Sequence, residues 1–169
     1  MEQPLSKSPW WNYLEEDLRE LINQSFLLLD TAENWKEHLP PGSEFHDYAF
    51  VVFPAAKAYE GFLKRLFLDL EFITQEEFKG KRFRVGKALN PSLDRRRYKD
   101  QSVYDKIINF CGGKELAESL WIAWKEGRNL LFHWFPNEKN AITLSEAKQK
   151  VDMIINAMNF AFKECKIEK

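Results

Sequence analysis

The stretch FPAAKAYEGFLKRLFLDL, residues 53–70, carries large apolar side chains at the spacing of a helix. With the residues just before it, it completes one apolar stripe, formed by Tyr48, Val52, Ala55, Tyr59, Phe62, Leu66 and Leu70. Pro54 lies inside this pattern and predicts a kink or a late helix start, because proline lacks the backbone N–H that the preceding turn would bind. The stretch therefore predicts a long helix that buries one face.

Helical signals continue on both sides of this stretch. An N-terminal helix is predicted over residues 9–35, because Ser8-Pro9 is a typical start and leucines follow at helical spacing. A short helix is predicted from Ser102 to Phe110, and a long one from Lys114 to Phe135. A capping box of Thr143 and Glu146 then precedes an amphipathic final helix.

The composition supports one helical domain. The chain has 169 residues, 44% apolar side chains and only seven glycines, and it shows no run of alternating residues typical of a strand. We predict an all-α bundle of four to five helices in a single domain. The six tryptophans and fourteen phenylalanines are best explained by core packing, with cover for an interface as the alternative.

Positive charge is concentrated in the segment that connects the middle helices, about residues 72–101. Residues 79–99 hold nine basic side chains and one acidic one, Asp94, although the whole chain has a net charge of -1. A protein with this overall charge does not bind nucleic acid indiscriminately. Two interpretations of the basic segment stay open, a site for RNA phosphates and a docking site for an acidic partner protein. Its candidate binding residues are Arg95, Arg96, Arg97, Lys81, Arg82 and Arg84.

The two cysteines, Cys111 and Cys165, are distant in sequence and form no CxxC pair. With no signal peptide at the N-terminus, we expect reduced thiols and a cytoplasmic location. The longest apolar run, AFVVFPAA, is too short to cross a bilayer, so no membrane partner is expected. No cluster of metal ligands and no glycine-rich phosphate loop is present, and we expect neither a metal nor a cofactor.

The stretch KEGRNLLFHWFPNE, residues 125–138, places Arg128, Asn129 and His133 inside an apolar run. An Arg followed after a few residues by His, near the end of an all-helical chain, resembles the motif of the HEPN family (higher eukaryotes and prokaryotes nucleotide-binding domain). Within that family, EGRNLLFHW and residues 53–70 look most similar to the toxins of the RNase LS type. The resemblance spans about residues 45–165, with the first helix as an elaboration.

This resemblance implies a metal-independent endoribonuclease, commonly a homodimer, acting as the toxin of a prokaryotic toxin–antitoxin or phage-defence system. The residue types suit that chemistry, because RNA can be cut when its own 2′-OH attacks the adjacent phosphate. His133 can serve as general base or acid near neutral pH. Arg128 stays charged and offers donors to the phosphorane oxygens. Asn129 and His133 are four residues apart and so share a helix face, which lets the amide orient the imidazole or contact RNA.

One geometric condition has to be met. Residues five apart on an ideal helix point about 140° away from each other, so Arg128 and His133 do not converge on a regular helix. The length of the arginine, a helix distortion beside Gly127, or a two-fold axis that pairs one subunit's His with the other's Arg would each solve this.

The family resemblance adds one more candidate. Its nucleases often use a polar or acidic residue from an earlier helix, and Glu60 holds the matching position. The structural alternative for Glu60 is an ion-pair ladder with Lys57 and Lys64. For the motif itself, the alternative is a surface ion pair of Arg128 or His133 with Glu126 or Glu138. An inactive HEPN-like module that binds nucleotide, RNA or a partner protein, and a purely structural dimerisation domain, are the competing functions.

Overall fold

The computed structural model describes residues 7–93 and 101–166, and this part of the chain is an all-helical bundle without strands. Its eight α-helices are α1 Pro9–Tyr13, α2 Glu16–His38, α3 Ala49–Asp69, α4 Gln75–Lys79, α5 Val85–Ala88, α6 Val103–Phe110, α7 Gly113–Trp124 and α8 Leu144–Glu164. A π-helical turn, Lys125–Asn129, continues α7, and a 3-10 turn, Pro136–Glu138, precedes α8. The predicted all-α single domain is confirmed.

Helix α3 lies at the centre of the bundle and packs against α2 and α8, while α7 packs against α6 and α8. The stripe predicted along α3 is buried, and Tyr59, Phe62 and Leu66 are fully enclosed. The Tyr59 hydroxyl donates to the carbonyl of Leu120 in α7 at 3.0 Å, and burial raises the pKa of Tyr59 well above its usual range. This hydrogen bond and the apolar stripe hold α3 against the helix that leads to the motif.

Pro54 neither delays nor ends α3, which begins five residues earlier at Ala49. The amide of Ala55, next to the proline, donates at 2.9 Å to the hydroxyl of Ser25 in α2, which is completely buried. Helix α2 therefore satisfies a backbone donor at the point where the proline disturbs the hydrogen bonds of α3. A late start was the wrong prediction for this helix.

The predicted N-terminal helix over residues 9–35 is in fact two helices. Helix α1 ends at Tyr13, and α2 begins at Glu16 in a new direction. The hydroxyl of Tyr13 donates to Asp69 at 2.7 Å, and Asp69 also binds Arg65 at 3.0 Å. Burial and the neighbouring Asp69 raise the pKa of Tyr13. This contact joins α1 to the end of α3, which the helical spacing of the leucines did not predict.

The predicted capping box of Thr143 and Glu146 is present. Thr143 accepts a hydrogen bond from the amide of Glu146 while the Glu146 carboxylate accepts one from the amide of Thr143, so the capping box starts α8. Ser102 caps α6 through the amide of Asp105. The described part of the connecting segment, residues 72–93, contains two helices that its sequence did not predict, α4, with a capping box of its own, and α5.

Cys111 and Cys165 are joined by a disulfide across 54 positions of sequence. Cys111 follows the last residue of α6 and Cys165 follows the last residue of α8, so the bond connects the ends of two helices. The prediction of two separate thiols is wrong, because pairing depends on where helix ends meet and not on sequence spacing.

Within residues 7–93 and 101–166, no helix is both long enough and apolar enough to cross a bilayer.

Candidate functional site

The motif segment does not continue α7 as a regular helix. Residues Lys125–Asn129 form a π-helical turn, in which the amide of Leu130 bonds to the carbonyl of Lys125 at 2.9 Å. Gly127 is buried against Ile154 of α8, and a Cβ at position 127 would lie only 3.0 Å from the Ile154 side chain. A helix distortion beside Gly127 was one of the predicted ways for Arg128 and His133 to converge, and this distortion is present.

The helix predicted to reach Phe135 ends near Leu130. The side-chain amide of Asn140 donates to the backbone carbonyls of Leu130, Leu131 and His133, at 3.3, 3.3 and 2.6 Å. These carbonyls would otherwise be unsatisfied at the helix end, so the side chain of a later residue terminates the helix. Asn129 and His133 consequently do not lie on one regular helix, and the prediction that they share a helix face is wrong.

The guanidinium of Arg128 is held from two sides. Its Nη2 donates to a carboxylate oxygen of Glu60 on α3, which places these two predicted site residues in direct contact. Its Cζ lies 4.6 Å from the ring centre of Trp124, one turn earlier on α7, in cation–π geometry. The Arg128 and Glu60 side chains are both about one-third exposed, so solvent reaches the pair and its remaining donors.

Glu60 and Arg128 do not form the alternative ion pairs with Lys57, Lys64 and Glu126. The ammonium groups of Lys57 and Lys64 lie over the rings of Phe53 and Phe78, at 5.9 and 5.6 Å, and an ion-pair ladder with Glu60 does not form. Glu126 instead pairs with Lys125 and Lys150, each at 3.9 Å. Tertiary packing therefore selects Glu60 as the carboxylate partner of Arg128.

Arg128, Asn129 and His133 border one shallow pocket of about 160 Å³. The rest of its wall comes from α3 and from the end of the motif, as Phe53, Ala56, Lys57 and Phe132. Asn129 and His133 are exposed. Because the regular helix ends before His133, the imidazole and the guanidinium reach the same pocket within one chain. The structure thus brings together the four predicted residues, with Glu60 behind Arg128.

His133 also borders a second, more open hollow of about 290 Å³. Trp134 lines it and is 77% exposed, so this tryptophan is not part of the core. Phe132 and Phe135 are more than one-third exposed. Core packing, expected for most tryptophans and phenylalanines, does not hold for Trp134, so contact with a base or with another protein remains.

The basic segment contacts the motif through Trp124. Gly86 in α5 lies so close to the indole that a Cβ there would overlap Nε1 and come within 3.1 Å of Cε2. Helix α5 also borders a groove of about 880 Å³ between α3, α4 and α6. Basic side chains line this groove, namely Arg65, Arg82, Arg84, Lys87 and Lys106. Trp124 therefore packs against the helix that borders the groove and also makes the cation–π contact with Arg128.

The predicted binding residues of the basic segment have different positions. Arg82 and Arg84 line the groove, are exposed, and have no ionic partner in the described part of the chain. Lys81 is exposed beside them but does not line the groove. Arg95, Arg96 and Arg97 lie outside the described residues. Acidic side chains also border the groove, as Asp69, Glu71 and Glu77, but Asp69 binds Arg65 and Glu77 caps α4.

Sequence reasoning missed Lys57, Phe53, Phe132 and Trp124 as parts of the site. Trp124 was assigned to the core stripe, although its position four residues before Arg128 is a signal for stacking on a helix surface. The others had no local signal, since their role depends on how α3 meets the motif.

Residues 7–93 and 101–166 contain no group of three His, Cys, Asp or Glu side chains placed to hold a metal.

The arrangement supplies a fixed cation, an imidazole and an amide at one pocket. Arg82 and Arg84, which have no ionic partner among the described residues, line a separate groove. Such a set can bind a phosphodiester and move a proton.

No protein-family model, curated protein or solved structure matches this chain. The function is therefore argued from the site and from the motif.

Proposed function

We propose that this chain is a metal-independent endoribonuclease of the HEPN type, the toxin of a prokaryotic toxin–antitoxin or phage-defence system. One observation carries the proposal: Arg128, fixed by Glu60 and Trp124, borders the same pocket as Asn129 and His133. The motif resemblance supplies the reaction class and the toxin role. The closest counterpart in appearance is the RNase LS type.

In the proposed reaction, the 2′-oxygen of one nucleotide attacks the adjacent phosphorus and the bond to the 5′-oxygen breaks. His133 takes the proton from the 2′-OH or gives one to the departing 5′-oxygen, and water or a second histidine completes the other transfer. The products are a 2′,3′-cyclic phosphate, which water can open, and a 5′-hydroxyl. No metal is needed, because the nucleophile belongs to the substrate.

Arg128 stabilises the charge on the phosphorane, with the guanidinium donors that Glu60 does not use. Glu60 is a positioning residue in this scheme, since it orients Arg128 and is not required to touch RNA. Asn129 is exposed at the pocket, where its amide can hold the scissile phosphate or a base edge. A guanidinium held in advance loses less rotamer freedom when phosphate binds.

The proposed partners are the RNA substrate, a cognate antitoxin and a second copy of the chain. Arg82 and Arg84 in the groove support binding of a polyanion, either RNA or an acidic antitoxin surface. A homodimer could supply the second histidine. We propose a cytoplasmic location, in which a lasting disulfide such as Cys111–Cys165 is rare.

The test is cleavage of a labelled single-stranded RNA in excess EDTA by the wild type, Arg128→Ala and His133→Ala, each checked for matched folding. Loss of at least about a hundredfold in both variants is expected, as removal of an acid–base group causes. His38→Ala is the control, because His38 is exposed on α2 and, among residues 7–93 and 101–166, its side chain bonds only to the carbonyl of Asn34. Equal rates in all four proteins would refute the proposal.

A second candidate is a module that binds RNA, nucleotide or a partner protein without cutting. The observation in its favour is the Glu60–Arg128 pair itself, which neutralises the main cation of the site. This candidate predicts salt-sensitive RNA binding that survives His133→Ala, with no cleavage by the wild type. Growth arrest on expression that His133→Ala relieves would exclude it.

A further inference from the structure

The small pocket beside His133 has an aromatic wall. The rings of Phe53 on α3 and Phe132 after the π-helical turn meet edge to face, with centres 5.4 Å apart and planes at 84°. These rings are not core, because Phe53 is 50% exposed and Phe132 is 38% exposed. Soluble proteins seldom leave two large rings exposed together unless that surface binds something.

Charge and polarity around the rings restrict the ligand. Lys57 lies over Phe53, and Arg128 and Asn129 border the same pocket. Cations interleaved with exposed aromatic rings are the arrangement that binds single-stranded nucleic acid, where bases stack and phosphates meet basic groups. A purely apolar partner would desolvate the ammonium of Lys57 without supplying an anionic partner, at an energetic cost.

The size of the pocket agrees with one base. Its volume of about 160 Å³ is below the roughly 300–1,000 Å³ of sites for drug-sized ligands. The Asn129 amide, exposed and without a hydrogen bond to the described residues, offers a donor and an acceptor that can pair with the edge of a base. A whole nucleotide cofactor would not fit, whereas a single ring system would.

We infer that the Phe53–Phe132 pocket is a subsite for one unpaired nucleobase, next to the phosphate held by Arg128. The choice of ligand rests on the proposed ribonuclease function. Phe132 provides the stacking surface, and Asn129 holds the base edge. The open hollow with Trp134, on the other side of His133, leaves room for the neighbouring nucleotide. A duplex cannot enter, because its bases are stacked and paired, so the substrate is single-stranded or looped RNA.

The test compares the affinity of two strands by fluorescence anisotropy. One is a short 2′-O-methyl oligonucleotide, which cannot be cleaved, and the other is an abasic strand of the same length and backbone. We expect the wild type to prefer the strand with bases, and Phe132→Ala to reduce that preference about tenfold, since stacking on one ring is worth about that factor. Asn129→Ala should reduce it less, because it leaves the stacking surface intact.

Phe110→Ala is the matched control. Phe110 is 75% exposed at the end of α6 and does not line the pocket, so its removal should leave the preference unchanged. Thermal unfolding of each variant checks that the fold is intact. If Phe132→Ala keeps the wild-type preference, or if the wild type shows none, the subsite is refuted.

Cleavage assays keep this inference separate from the proposed function. RNA cleavage by the wild type without any effect of Phe132→Ala on base preference would refute the subsite and leave the ribonuclease. A base preference that Phe132→Ala removes, without RNA cleavage, would support the subsite and refute the ribonuclease. If Phe132→Ala instead changes only the oligomeric state in sedimentation, a second copy covers the rings and the subsite is refuted.

Discussion

The carboxylate of Glu60 on α3 accepts a hydrogen bond from Nη2 of Arg128, which lies 68 positions later at the end of a π-helical turn. The guanidinium is thereby held between this carboxylate and the ring of Trp124. The contact joins the central helix of the bundle to the motif, and it sets where the positive charge of the site lies.

Removing the charge of Glu60 should affect activity more than stability. In Glu60→Gln we expect cleavage to fall about tenfold, because a charge-assisted hydrogen bond worth about 1.5 kcal/mol no longer orients Arg128. Stability should change by less than about 1 kcal/mol, since both side chains are partly solvated. Single-turnover RNA cleavage and urea unfolding measure the two effects.

Glu126→Gln is the control for that experiment, because Glu126 is a half-exposed carboxylate in the same π-helical turn as Arg128 and pairs instead with Lys125 and Lys150. Its cleavage rate should match the wild type. Equal rates for Glu60→Gln and Glu126→Gln would mean that the Glu60–Arg128 contact is only a surface ion pair.

The contact of α5 with Trp124 can be tested at Gly86. Gly86→Ala should destabilise the protein by about 2 kcal/mol, because the new methyl group overlaps a rigid indole ring and overpacking costs about 1–3 kcal/mol. Gly61→Ala should be milder, although its Cβ would lie 2.6 Å from Leu18, since the tip of a leucine can rotate away. Urea unfolding of both variants gives the comparison, and a milder Gly86→Ala would contradict the packing of α5.

Arg82 and Arg84 should contribute to RNA affinity without sequence preference. Each change to alanine is expected to weaken binding of every single-stranded RNA alike and to lower the slope of log affinity against log salt by about 1. Lys114→Ala provides the control, because Lys114 is exposed at the start of α7 and pairs with Glu118. Unchanged RNA affinity combined with weaker binding of an acidic antitoxin would assign the groove to the antitoxin instead.

The disulfide should stabilise the oxidised protein. Closing a loop of this length is worth about 4 kcal/mol in the chain-entropy description, so the Cys111→Ser, Cys165→Ser double variant should unfold at lower urea concentration than oxidised wild type. Reduced wild type is the matched control and should resemble the variant. Thiol alkylation under denaturing conditions reports the state of the pair, and full alkylation of protein purified without reductant would contradict the bond.

The capping box of α8 predicts a pH effect. Hydrogen bonds from the amide and hydroxyl of Thr143 lower the pKa of Glu146. Because the folded pKa is lower than the unfolded one, the stabilisation is present above the usual Glu pKa and is lost as the pH falls through the lowered value. Carboxyl NMR titration should show part of the lowering lost in Thr143→Ala, which keeps the amide but loses the hydroxyl, and none lost in Thr143→Ser. An unchanged pKa in Thr143→Ala would disprove the hydroxyl contribution.

Much of the fold follows from local patterns in the chain. The stripe on α3 and the capping box of Thr143 and Glu146 were predicted because spacing and capping act within a few residues. The extension of α7 to Phe135 was wrong because the side chain of Asn140, ten residues beyond Leu130, ends the helix. Pro54 did not delay α3, because Ser25 on another helix satisfies the affected backbone.

The sequence by itself determined the helical class, most helix starts, and the residue types of the candidate site, since these depend on short-range spacing and chemistry. Only the tertiary structure decided that Glu60 pairs with Arg128, that Cys111 meets Cys165, and that Gly86 lies against Trp124. Each of these contacts joins residues far apart in the chain, and which distant residues meet is set by how the helices pack together.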